Sequence, residues 1–175
     1  MKKIFMVLAA ALMTVSANAQ YFVGGNLGVA SVNDETTYKV LPEFGYSFND
    51  KWAVGTVVGW GKGTSMMDLE KGVYENLVGT FEVDPYVRYT FLNTKYVNVF
   101  CDGALGYKHY NGIGNEWSVG LKPGLAVNLN DKFSFVTHVG FLGWKHDDPK
   151  HGDSTDNWGV NIDNNNVTFG VYYNF

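Results

Sequence analysis

Cysteine is almost absent from this chain: Cys101 stands alone among 175 residues. A single thiol allows no internal disulfide and no cysteine-built metal framework, so covalent staples cannot carry the stability. Cations are sparse as well, with 13 Lys and Arg against 17 Asp and Glu. A nucleic-acid-binding face needs a basic stripe, which this balance does not supply, and nucleic acid is not an expected partner. Beyond residue 20 no continuous apolar run reaches the ~17 to 25 residues that a membrane helix requires. No catalytic or cofactor-binding motif rises above background, so the expectation is a noncatalytic chain without cofactor or metal.

What is present is apolar and aromatic. Apolar residues make up 46% of the chain and aromatics 16%, too much for an all-polar secreted domain. Lys2 and Lys3 precede an apolar run from Ile4 to Leu12, and Ala17-Asn18-Ala19 precedes Gln20. This is the layout of a secretory signal and its cleavage site, so residues 1–19 are read as a signal peptide and 20–175 as one mature domain. Removing Lys2 and Lys3 lowers the Lys and Arg total from 13 to 11 and makes the mature chain more acidic.

Alternation reconciles the apolar composition with the missing membrane helix. A membrane strand shows lipid only every second side chain, and ~9 to 11 residues cross the bilayer at a tilt. Strands of this kind fall at about 21–31, 37–48, 51–61, 74–91, 96–108, 117–129 and 132–145, with an eighth ending at Phe175. In the fourth, Phe81, Val83, Pro85, Val87, Tyr89 and Phe91 share one parity, while Thr80, Glu82, Asp84, Tyr86, Arg88 and Thr90 share the other. The seventh carries bulk on both parities. Phe133, Phe135, Val139 and Phe141 are assigned to lipid, and Val136, His138, Leu142 and Trp144 to the interior. Pro85 and Pro123 interrupt clean patterns and call for local distortion, because proline removes a ladder hydrogen bond.

Short turns are expected near Asn49-Asp50, Leu92 to Lys95 and Asn130-Asp131, and longer connections near 32–36, 62–73, 109–116 and 146–166. Eight antiparallel strands with long loops on one side specify an all-β, eight-stranded up-and-down transmembrane β-barrel, with short turns toward the periplasm. Closure is required, because an open edge in hydrocarbon leaves backbone groups unpaired.

The segment from Leu41 to Gly55, read as strand, tight turn and strand, and the terminal Val171-Tyr172-Tyr173-Asn174-Phe175 resemble the small eight-stranded outer-membrane barrels that include the OmpA transmembrane domain and OmpX-like proteins, in the form common among Bacteroidetes. The resemblance spans residues 21–175. It implies a cell outer membrane location, contact with outer-membrane lipids and insertion by the barrel assembly machinery, whose usual signal the Phe175 strand matches. The chain departs from the OmpA pattern in stopping where a peptidoglycan-binding domain would follow, so cell-wall tethering is not expected, and the resemblance fixes architecture better than role.

An eight-stranded barrel encloses packed side chains rather than an open lumen. Glu43, Asp84, Asp102 and Lys122 each lie about seven residues above their turns and are expected to form a mid-height layer, with Arg88 lower and Glu82 higher. Tyr21, Trp52, Tyr89, Phe91, Tyr96, Phe133, Tyr173 and Phe175 cluster near the short-turn rim, and Tyr74, Tyr107 and Trp117 toward the other, as two interface girdles. Trp117 and Trp158 also leave carbohydrate stacking open. Ser134 shares the parity of His138 but lies ~13 Å away along the strand, too far for direct proton transfer. His146, Asp147, Asp148, His151, Asp153 and Asp156 lack the order of a calcium loop and read as a solvated connection.

The resulting expectation is a monomeric, noncatalytic outer-membrane barrel serving envelope integrity or surface interaction, with an extracellular ligand left open. A narrow small-solute or ion channel is the alternative, and a lipid-modifying enzyme built on His138 a more distant one.

Overall fold

The computed structural model describes residues 20–32, 35–63, 78–161 and 167–175. The expected signal segment 1–19, Tyr74 and most of the 62–73 connection lie outside these residues. Ten strands form one antiparallel sheet: β1 Gln20–Val32, β2 Glu35–Ser47, β3 Trp52–Gly63, β4 Val78–Asn93, β5 Val97–Tyr110, β6 Gly114–Asn128, β7 Phe133–Val139, β8 Phe141–Pro149, β9 Thr155–Asn161 and β10 Val167–Asn174. They run β5-β4-β3-β2-β1-β10-β7-β6-β8-β9, and the β5–β6 pairing closes the ring.

Ten segments fill eight positions because two strands are interrupted. β7 pairs with the C-terminal half of β6, from Gly124↔His138 to Asn128↔Ser134, and β8 pairs with its N-terminal half, from Gly114↔Pro149 to Leu121↔Leu142. One extra residue is taken up between them at Gly140, whose φ of 78° is a left-handed conformation that costs glycine little. β9 and β10 form the eighth position, β9 pairing with β8 and β10 bridging β7 to β1.

The extra residue changes which parity faces inward. Below Gly140, Ser134, Val136 and His138 are buried; above it, Phe141 and Asp147 are buried while Leu142 turns outward. This corrects the expected seventh strand: Phe141 belongs to the interior, and Leu142 and its same-parity neighbour Trp144 do not. Bulk on both parities was the trace of a switch in mid-strand, since a one-residue slip exchanges the two faces.

Strand pairing reaches into three of the connections opposite the short turns. β1 and β2 stay paired to Val32↔Glu35, and β5 and β6 to Tyr110↔Gly114, so both ladders run further than expected, and 109–116 is a tight turn on extended strands rather than a long loop. Much of 146–166 is likewise strand: β8 and β9 form a hairpin paired from Phe141↔Asn161 to Asp147↔Thr155. The β1–β10 ladder ends at Leu27↔Phe169, and among the described residues β9 pairs with β8 alone.

At the other rim two turns use the same local device. Asn49 Oδ1 accepts from the Lys51 and Trp52 amides at 2.9 and 3.0 Å, and Asn130 Oδ1 accepts from those of Lys132 and Phe133 at 2.9 and 2.8 Å. Asn-Asp-Lys-aromatic thus encodes the turn twice, the Asn side chain satisfying amides that the reversal would leave bare. Thr94 does the same for Val97 at 2.9 Å.

Prolines fall where ladders pause. Pro85 sits in a two-pair gap of the β4–β5 ladder, between Val83↔Tyr107 and Tyr86↔Ala104. Pro123 lies on β6 at the point where its partner changes from β7 to β8, opposite the Gly140 irregularity. The missing N–H therefore costs no ladder bond.

The exterior is apolar: Leu27, Phe44, Val87, Leu105, Val119, Phe169 and Val171 are all exposed. A continuous exposed apolar band on a closed sheet is a surface built for hydrocarbon rather than water.

Candidate functional site

The core of the barrel is a single arginine packed among aromatic rings. Arg88 donates from Nε to Asp102 Oδ1 at 2.7 Å and from Nη2 to Asp102 Oδ2 at 2.8 Å, a forked pairing between directly opposed residues of β4 and β5. Nη2 also reaches Glu43 Oε1 at 3.4 Å and donates to the Tyr172 hydroxyl at 3.2 Å. The Tyr86 hydroxyl donates to Glu43, and His138 Nε2 lies 3.0 Å from Asp102 Oδ2. The guanidinium carbon stands 3.9 Å from the Phe100 ring centroid and 5.0 Å from that of Tyr86, with the Phe22 and Tyr172 rings also within 6 Å.

Each of these four rings faces a glycine. Phe22 is the register partner of Gly45, Tyr86 of Gly55, Phe100 of Gly124 and Tyr172 of Gly24. A Cβ on any of the four glycines would collide with its facing ring. The glycines are thus the seats that let four large side chains lie flat across a lumen only as wide as its own filling. An inward aromatic aligned with an inward glycine on the next strand was the signal available in the sequence; register was needed to see it.

The expected mid-height layer divides in two. Arg88 is level with Asp102 rather than below it, and it gathers Asp102 and Glu43. Lys122 is the register partner of Asp102 on β6, yet its Nζ pairs with Asp84 at 2.6 Å. It reaches past β5 to β4, and a Cβ at Gly106 on β5 would press on Asp84 Oδ1 at 2.9 Å. Glu82 pairs with Lys108 at 3.2 Å, and Lys145 approaches Glu116 at 3.9 Å, while the Tyr110 hydroxyl donates to Glu116 at 3.1 Å. These upper pairs are partly open to solvent, with Lys122 29% exposed, whereas the Glu43 side chain is wholly enclosed.

Below the arginine cluster a cavity of about 460 Å³ opens at the short-turn rim. Phe22, Arg88, Phe100 and Tyr172 are among its lining residues, as are rim residues such as Asn98, Asn128 and Asn174. Several of these amides are already engaged: Asn128 bonds the Thr94 and Lys95 carbonyls, and Asn174 that of Lys132.

Ser134, the hydroxyl on the parity of His138, is not turned toward it. Ser134 donates to Asn128 Oδ1 at 2.9 Å, while His138 is held between Asp102 and Thr168. Among the described residues no three His, Cys, Asp or Glu side chains converge as metal ligands. The acidic stretch after His146 is instead drawn into the hairpin, where His146 Nδ1 lies 2.9 Å from Asp156 Oδ1.

On the outside, Tyr21, Trp52, Tyr89, Phe91, Tyr96, Phe133 and Phe175 are exposed at the short-turn end, with Tyr173 half-buried among them. Several pair edge to face or at a tilt: Trp52 with Tyr89 at 4.8 Å, Phe133 with Tyr173 at 5.1 Å, and Tyr173 with Phe175 at 5.0 Å. At the far end Trp117 packs on Tyr107 at 4.7 Å and Trp144 faces Trp158 at 6.3 Å. The Trp144 and Trp158 pairing escaped the sequence because Trp144 was placed on the interior parity.

The geometry agrees with known proteins at the level of fold. OprG from Pseudomonas aeruginosa superimposes with a TM-score of 0.52 at 12% identity, over 92% of this chain and 97% of that one. A major outer membrane protein from Thermus thermophilus gives 0.53 at 14%, over 91% and 100%. Ail of Yersinia pestis in a phospholipid bilayer nanodisc gives 0.50 at 13%, over 90% and 99%. No curated protein matches the chain significantly in sequence. The family model described as outer membrane protein beta-barrel domain matches residues 5–175. A closed eight-position sheet with an apolar wall therefore has its explanation: the chain belongs to the outer membrane protein beta-barrel domain family and resides in the outer membrane.

Proposed function

We propose that this protein is a sealed, noncatalytic barrel that contributes to the envelope through its exterior and its extracellular rim rather than through its lumen. The observation that carries the reading is the cross-section at Arg88, where four rings, two carboxylates and His138 meet around one guanidinium. The guanidinium compensates carboxylates that burial would otherwise leave without a cation. Together these groups offer no cleft to a substrate, and displacing them exposes buried carboxylates. The girdle aromatics, from Tyr21 and Trp52 to Trp117, are read as anchors at the two bilayer interfaces, and residues 1–19 as the export signal.

A gated ion path is the second reading. The 460 Å³ cavity below the cluster and the partly hydrated charge pairs above it favour it, since they leave only the Arg88 layer to be crossed. Planar-bilayer recording separates the two. The sealed barrel gives no sustained conductance, and Phe100→Ala, which removes one ring, produces discrete openings. Sustained wild-type conductance at low voltage would overturn the reading.

A further inference from the structure

The β8–β9 hairpin carries, on its outward face, a cluster that the sealed interior does not use. Trp144 Nε1 donates to Asp156 Oδ1 at 3.0 Å, and His146 Nδ1 meets the same oxygen at 2.9 Å. The Trp144 ring stacks on the His146 imidazole, with centroids 5.7 Å apart and planes within 23°, and tilts against Trp158 at 6.3 Å. Trp158 is 80% exposed although it lies in the middle of a paired strand. Trp117, the register partner of His146 on β6, continues the arc of rings toward Tyr107.

The arc combines flat aromatic faces with fixed polar edges. Rings supply apolar area at small entropic cost, and a carboxylate held by two donors presents its remaining acceptor capacity in a set direction. The Asp156 side chain is 59% exposed, and both of these donors meet its Oδ1. Such an edge beside exposed indoles suits the apolar face and hydroxyl groups of a pyranose. It does not suit a phosphate: the charged groups on this stretch of wall are Asp148 and Asp156, while Lys145 points inward to Glu116.

Position selects the source of the sugar. The cluster stands directly above Leu142 and Val160, which pair across the same two strands and are exposed in the lipid-facing band. It is therefore continuous with the hydrocarbon surface and faces sideways into the headgroup layer. We infer that this face binds the neutral sugar units of glycolipids in the surrounding outer leaflet. The inference rests on the reading of a barrel that works through its exterior. It also gives Trp158 a role that a girdle aromatic would not require, since its partner is a specific headgroup.

The test is retention of a neutral-headgroup glycolipid by the folded barrel in detergent micelles, read as lipid per barrel by native mass spectrometry. Parallel arms use a sugar-free anionic phospholipid and the free oligosaccharide. Wild type should retain the glycolipid in preference to both, and Trp158→Ala and Asp156→Ala should each weaken retention about tenfold, the scale of one lost charged hydrogen bond or stacked ring. Both positions are exposed, and heat-dependent gel migration checks that the variants fold. Equal retention by wild type and both variants would overturn the inference, as would equal preference for the anionic lipid, or binding of the free sugar without the glycolipid. Bilayer conductance of the same preparations keeps the outcomes apart: a non-conducting barrel that ignores glycolipid sinks this inference alone, whereas a conducting one sinks the sealed-barrel reading.

Discussion

The charges of the Arg88 layer and those above it share β4 and β5 and all face inward, yet the two regions solve burial differently. At Arg88 the carboxylates are almost wholly enclosed, the pairing is forked, and every ring sits on a facing glycine. In the upper chamber Lys122, Lys108 and Lys145 each meet one principal acid, with water reaching at least part of each pair. The difference teaches that charge content does not identify the dry layer. Dry packing around a charge makes it indispensable, while a wet pair of similar composition is replaceable.

The strongest way to break this contrast is Arg88→Ala. It leaves Asp102 and Glu43 enclosed without their cation, a situation that costs about 3–5 kcal/mol. Reversible urea unfolding in lipid vesicles should register a loss of that size, or failure to fold, and a loss below about 1 kcal/mol would show that water already reaches the layer. Next comes Gly124→Ala, which pushes a methyl into the Phe100 ring over the guanidinium. Overpacking of this kind costs about 1–3 kcal/mol. Gly159→Ala is its control, because nothing lies within 4 Å of a Cβ there, and its effect should stay within about 0.5 kcal/mol. Similar losses at the two glycines would remove the seating argument.

How much of this was legible beforehand depends on whether the signal was local. The two Asn-Asp-Lys-aromatic turns and the inward parity of Glu82, Asp84, Arg88 and Asp102 needed no partner to be read, and they fix strand count, facing and the short-turn rim. Gly140 was not legible as a parity switch. Its effect is defined by β6, which pairs with His138 on one side of it and Leu142 on the other. For the same reason Phe141 was placed outside and Trp144 inside. Within the candidate site the acids and bases are visible in the sequence but their partners are not: counting residues from the turns sets Lys122 beside Asp102, whereas packing gives Asp102 to Arg88 and sends Lys122 past β5 to Asp84. Tyr172 and its seat Gly24 lie at opposite ends of the chain, and only closure of the ring brings them together.

Smaller effects sharpen the comparison from the wet side. Lys122→Met removes a 2.6 Å pair but leaves Asp84 within reach of water, so the expected loss is about 1 kcal/mol. Lys145→Gln should do less still. Its ammonium stands 3.9 Å from Glu116, at the limit of an ion pair, and Glu116 keeps the Tyr110 hydroxyl as a donor when the lysine goes. A change under about 0.5 kcal/mol in the same unfolding measurement is expected, with little dependence on added salt, because a weak pair has little Coulomb energy to screen. If Lys145→Gln instead cost as much as Lys122→Met, the chamber would be drier than its solvent exposure implies. The boundary between dry and hydrated interior would then lie above the Asp84–Lys122 pair, at Glu116 rather than at Arg88.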